Sequence, residues 1–124
     1  LLLLLEYMYQ DNSILHTFNL VSIEHILPQK PSANSQWNKD FTEDERINNV
    51  HKIGNLCIIG RRKNTSLSNL DYQEKRKKYF ERNIGNFART LSIYHRYLDL
   101  WTLAELQENT NIALSDIKKM FNIV

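Results

Sequence analysis

The chain opens on an apolar run, LLLLLEYMYQ, which predicts a helix end stopped by Asp11, Asn12 and Ser13. Residues 20–27, LVSIEHIL, are apolar and β-branched enough to predict a strand. Pro28 ends it, because proline has no N–H for a ladder. The polar stretch PQKPSANSQWNKDF predicts a loop anchored by Trp37 and Phe41. Thr42 and Glu45 have capping-box spacing and predict a helix over about 43–52, with Gly54 ending it. NLCIIG, residues 55–60, is a short continuous apolar run and predicts a buried strand. RRKNTSLSN predicts a turn or a single helical turn, and from Asp71 a helix runs through QEKRKKYFERN. Another helix covers about 86–100. There Phe87, Leu91, Tyr94, Leu98 and Trp101 step by four, three, four and three, which defines one buried face. His95 lies beside that face as a packed or surface histidine. Thr102 and Glu105 repeat the capping pair, and the tail that follows is helical, in one piece or two.

Helix, strand, loop with helix, strand, turn and then helices make an α+β chain. Two strands alone form a marginal sheet, so they must lean on helices. A chain of 124 residues is enough for one domain with a core, here 20–83 followed by a helical part, 84–124. The absence of an initiator Met reads as a fragment of a longer protein. Composition excludes a disordered chain, with 42% hydrophobic and 24% charged residues. With 3 Gly and 2 Pro it also argues against a loop-rich or all-β fold. LLLLL is too short to span a membrane. Cys57 is the single cysteine, which excludes an internal disulfide and a multi-cysteine zinc site. Its apolar neighbours predict a buried, reduced thiol, as suits the cytoplasm.

The net charge of +2 does not by itself announce a nucleic-acid partner. Its distribution changes the picture. Between Arg61 and Arg82 eight basic residues face three acidic ones, so the rest of the chain is net acidic. Such a run, taken alone, is a solvated helix face.

Glu24 and His25 stand side by side where the first strand must stop. In a regular strand they point to opposite faces, one to the core and one to water. The sharper alternative has the backbone bend before Pro28, so that both converge on one metal-bound phosphate. Phosphodiester hydrolysis needs a base for water near neutral pH, which histidine supplies, and a divalent cation to neutralise developing charge. Mg²⁺ keeps several waters, so one carboxylate and one amide oxygen suffice as protein ligands. The candidates are Glu24, His25, Asn55 and Asn64.

These residues, in this order, resemble the HNH or ββα-metal nuclease motif. H25-I-L-P28 and N55-L-C-I-I-G-R-R-K-N64 are similar to HNH domains of CRISPR effector nucleases. The whole pattern resembles more closely the C-terminal domain of GmrSD-type, modification-dependent restriction endonucleases. The carriers are IEHILPQ (23–29), Trp37, IGNLCII (53–59), KNTSLSN (63–69) and DYQEKRKKY (71–79), a helix of the Phe/Tyr-x-x-Lys kind. The resemblance covers residues 1–80 and continues in character only through the tail.

It implies a ββα-metal core surrounded by additional helices, and a DNA endonuclease of restriction or phage defence. It implies His25 as the general base, Glu24 and Asn64 as ligands of a divalent metal (Mg²⁺ or Mn²⁺), and Asn55 as the brace that holds His25. The products would be a 5′-phosphate and a 3′-hydroxyl. An N-terminal ParB-like, nucleotide-hydrolysing domain or subunit would accompany this one. Arg61, Arg62 and Lys63 would then grip the DNA backbone, and Lys75 and Lys78, three apart on one helix face, would add to that surface. His51 is a possible further site residue, or a helix-end histidine near free carbonyls. Two other functions fit the same chain. One is a DNA-binding or interaction module, with a helix-turn-helix built from Ala104, Ile112, Ser115 and Ile117. The other is a degenerate nuclease kept as a scaffold.

Overall fold

The computed structural model describes residues 1–10, 21–60, 69–81 and 87–122. Its architecture is α+β. In chain order the described elements are α1 (Leu2–Tyr9), β1 (Val21–His25), α2 (Trp37–Asp40), α3 (Glu43–Asn49), a 3-10 turn (Ile53–Asn55), β2 (Leu56–Gly60), α4 (Tyr72–Glu81), α5 (Ala88–Arg96) and α6 (Leu103–Met120). The predicted stop of the first helix at 11–13 lies outside the described residues.

β1 and β2 form an antiparallel pair, with Val21 opposite Gly60, Glu24 opposite Cys57 and His25 opposite Leu56. Cys57 and Ile59 are fully buried, so this face of the hairpin carries the main core. That core is aromatic and includes Trp37, Phe41, Tyr72, Tyr79, Tyr94, Tyr97 and Trp101. Tyr72 stacks on Trp101 with ring centroids 5.8 Å apart. A second cluster on the opposite side joins Leu2, Leu5, Ile58 and Ala113, and so ties α1 and α6 to the other face of the sheet. Two strands too short to stand alone are thus covered from both sides.

Local chemistry fixes the helix ends. The Thr42 hydroxyl accepts from the Glu45 N–H at 3.1 Å, and the Glu45 carboxylate accepts from the Thr42 N–H at 2.8 Å. Glu105 accepts in the same way from the Thr102 N–H at 2.7 Å. The start of α5 is capped from a distance. Glu6 on α1 is buried, and its carboxylate accepts from the N–H groups of Arg89 and Thr90 at 3.2 and 3.1 Å. An anion placed on the first free N–H groups of a helix also suits its dipole.

Several elements differ from the sequence reading: the expected loop holds the short helix α2, α3 stops at Asn49 and not at 52, and β1, α5 and the expected helix-turn-helix also differ. β1 stops at His25 and not at Leu27, because the N–H groups of Ile26 and Leu27 turn to Asn55. α5 spans Ala88–Arg96, shorter than 86–100, and Leu98 is 57% exposed instead of lying on the buried face. The chain leaves the helix at Tyr97, whose carbonyl accepts from the Tyr72 hydroxyl at 2.6 Å, and then carries Trp101 into the core. The tail is one continuous helix of 18 residues. That removes the helix-turn-helix, since Ala104, Ile112, Ser115 and Ile117 lie on a single unbroken rod.

Candidate active site

β1 ends in a regular pair with β2, so Glu24 and His25 leave on opposite faces as strand geometry requires. Glu24 turns inward and is 2% exposed. His25 is half-buried on the other side. The backbone bends only after them, at Ile26 and Leu27. The two side chains therefore do not converge as expected, since a regular strand end sends them apart. Both residues line one cavity of about 370 Å³ at the strand end, together with Pro28, Gln29, Lys30 and Asn69.

The bend is made by Asn55. Its main-chain oxygen accepts from the Ile26 N–H at 2.9 Å, and its side-chain oxygen accepts from the Leu27 N–H at 2.8 Å. Its amide nitrogen donates to the carbonyls of Leu27 and Val50 at 3.1 and 2.8 Å. Trp101 Nε1 donates to the same side-chain oxygen at 3.1 Å. A fully buried amide thus brackets the two residues that follow His25.

Lys75 is the main correction to the expected DNA surface. The sequence pattern puts it with Lys78 on a face toward DNA, yet its side chain is fully buried. Its ammonium donates to Glu24 Oε1 at 2.6 Å and to the carbonyls of His25 and Ile26 at 2.9 and 3.0 Å. Helix phase explains the placement, because Tyr72, Lys75 and Tyr79 are the buried positions of α4. Lys77 and Lys78 are exposed on the same helix. Burial raises the Glu24 carboxyl above its usual range, and the Lys75 charge opposes that shift. Burial likewise lowers the Lys75 ammonium, with Glu24 opposing. Three donors meeting three acceptors favour the charged pair. Glu24 Oε2 is buried and has no hydrogen-bond partner among the described residues.

His25 is held from two sides. Its Nε2 lies 3.1 Å from His51 Nδ1, and its Nδ1 lies 3.4 Å from the amide nitrogen of Gln29. Burial lowers its pKa below the usual imidazole range; a positive charge on His51, when that ring is protonated, and the Lys75 charge lower it further. The ring is therefore neutral at neutral pH and able to accept a proton. Arg61, Arg62, Lys63 and Asn64 lie outside the described residues.

The family model described as GmrSD restriction endonucleases, C-terminal domain, matches residues 1–114. The chain belongs to this family. Its membership makes it a restriction-endonuclease-related domain of nuclease type. No curated protein and no solved structure matches it significantly. Within this GmrSD C-terminal domain the structure brings together Glu24, His25, His51 and Asn55, with Lys75 added. Among the described residues no helix is long and apolar enough to cross a membrane.

Sequence reasoning missed Gln29, Lys30 and Asn69 on the cavity wall, and the buried role of Lys75. The Lys75 signal was present. Its three- and four-residue steps from Tyr72 and Tyr79 place a lysine on an aromatic helix face, where the surrounding KRKK run reads as solvent-facing.

Proposed function

We propose that this chain is a metal-dependent HNH endonuclease domain that hydrolyses DNA phosphodiester bonds. The observation that carries the reading is the shared cavity of Glu24 and His25, braced by Asn55, in a GmrSD C-terminal domain. His25, neutral and half-exposed, takes a proton from water. The water oxygen attacks phosphorus, the bond to the 3′ oxygen breaks, and that oxygen takes a proton from solvent water while His25 returns its own to solvent. The expected products are a 5′-phosphate and a 3′-hydroxyl.

The residues fit a divalent cation on one specific ground. Glu24 offers a buried carboxylate oxygen that no described group engages, and the residue lines the cavity. The described residues contain no group of three or more His, Cys, Asp and Glu able to hold a metal. An ion here would therefore rest on Glu24 and Asn64 with water completing its shell, a pattern suited to Mg²⁺ or Mn²⁺. When bound, the ion supplies neutralisation of charge on the phosphate and leaving oxygen. Asn55 keeps the backbone after His25 in place. Lys78, with Arg61, Arg62 and Lys63, holds the DNA backbone.

The unit acts as one domain of a longer cytoplasmic protein, with an N-terminal ParB-like, nucleotide-hydrolysing part selecting DNA for restriction. Plain and modified DNA, incubated with Mg²⁺ or Mn²⁺, test the reading. The chain is expected to nick or cut, and His25→Ala is expected to lose cleavage with an unchanged circular dichroism spectrum. Equal cleavage by parent and His25→Ala removes the assignment.

A further inference from the structure

We propose that His51 is a positioning residue that fixes His25 in the tautomer whose free electron pair is on Nδ1, on the cavity side. The inference rests on the general-base reading of His25 and specifies which atom of the ring accepts the proton. Gln29 presents its amide nitrogen to His25 Nδ1 at 3.4 Å. With the Gln29 amide oriented nitrogen-first, that nitrogen donates, which assigns Nδ1 as the acceptor without a proton. A neutral imidazole has one N–H, which must then be on Nε2. That N–H meets His51 Nδ1 at 3.1 Å, and His51 accepts it. The ring centroids are 5.1 Å apart, close enough for the two nitrogens to face each other directly.

Placement agrees with this assignment. His25 and Gln29 line the cavity that Glu24 shares, whereas His51 is not among its described lining residues. The Gln29 contact is long, so a water in the cavity readily replaces it at Nδ1. In the opposite tautomer the electron pair would point at His51, away from the cavity, and Nδ1–H would face the Gln29 NH₂ group. The hydrogen bond on one ring nitrogen sets what the other can do. His51 is exposed, so its removal does not open the core.

The test uses the full chain. Nitrogen-15 imidazole spectra of the metal-free protein at neutral pH report the tautomer directly, and DNA cleavage with Mg²⁺ reports its consequence. The parent is expected to show His25 protonated on Nε2. His51→Ala is expected to show mixed tautomers and a kcat lower by about 10- to 100-fold with KM unchanged. His51→Asn, whose side-chain oxygen can accept the same hydrogen, is expected to restore both. A parent spectrum with the proton on Nδ1 overturns the inference. So does His51→Ala cleaving at the parent rate while His25→Ala is inactive, an outcome that leaves His25 as the base. Slow cleavage in both His51 variants also overturns it, since the acceptor would then not be what matters. Parent-like cleavage by His25→Ala removes the general-base reading itself, and this inference with it.

Discussion

Asn55 accepts and donates at both ends of its side-chain amide, and all of its partners belong to the segments around the site. Asn55→Ala leaves the Leu27 N–H, the Trp101 Nε1–H and two carbonyls without a protein partner in a buried place. Each such orphan costs about 1–3 kcal/mol. The expected loss is at least about 3 kcal/mol, read as a lower urea midpoint; an unchanged midpoint would mean that water takes over the contacts. Cys57 gives a second residue-level prediction. Burial chiefly, and the negative charge of Glu24 next, raise its thiol from 9.0 to about 12. A folded-state pKa above the unfolded one means that the fold holds its proton longer. The associated stability is complete below pH 9.0 and falls as pH rises toward about 12. Iodoacetamide at pH 8 should therefore leave Cys57 unmodified in the folded chain and alkylate it in urea. The sequence told that this thiol is enclosed, since it lies in LCII. It did not tell that Glu24 is its cross-strand neighbour, which depends on register.

Two contacts between elements decide the geometry of the site. The first is α6 against the 3-10 turn. A Cβ on Gly54 would stand 2.6 Å from Thr110 Cα and closer still to the Thr110 main-chain nitrogen, so the helix backbone would have to move. Gly54→Ala is expected to destabilise by about 1–3 kcal/mol. Gly60→Ala, with no atom of the described residues within 4 Å of its Cβ, should stay within about 0.5 kcal/mol of the parent. Thermal melts of the pair distinguish crowding from a general cost of losing glycine. The second contact is α4 against the end of β1, through Lys75. Lys75→Met leaves the Glu24 carboxylate buried and unpaired, a change that costs about 3–5 kcal/mol. Adding Glu24→Leu removes the stranded charge and should recover most of that loss in denaturation curves. No recovery would show that the two carbonyl contacts of Lys75, and not its ion pair, hold the strand end. Gly54 reads in the sequence as a helix stop. Its function as a point of close approach depends on where α6 lands, some fifty residues later.

At the scale of the molecule, the tail and the N-terminal helix are part of the structure that holds the site. Trp101 is fully buried and bonds Asn55, and the Asn109 amide nitrogen on α6 donates to the Gly54 carbonyl at 2.7 Å. A chain ending at residue 100 is expected to lose cooperative unfolding, measured by circular dichroism against temperature. A cooperative transition like that of the full chain would show that α6 is an appendage. The proposed DNA contact belongs to this scale too. DNA held through phosphates alone should weaken steeply as salt rises from 50 to 200 mM, because each neutralised phosphate releases counterions. Lys78→Ala is expected to reduce that salt slope, whereas Lys75 contributes to folding and not to the slope.

The sequence by itself determined the α+β class, the order of the elements, both Thr-to-Glu helix starts, and the residue types at the end of β1. These are local matters of period, capping and motif spacing, and they are settled within a few residues. Tertiary structure decided which lysine is buried, which helix crowds Gly54, and that Asn55 reaches the backbone beyond His25. It also decided that Glu24 and His25 share a cavity while leaving opposite faces of a regular strand, with His51 behind the imidazole. Such contacts join residues tens of positions apart, so they follow from packing and register and not from any local pattern.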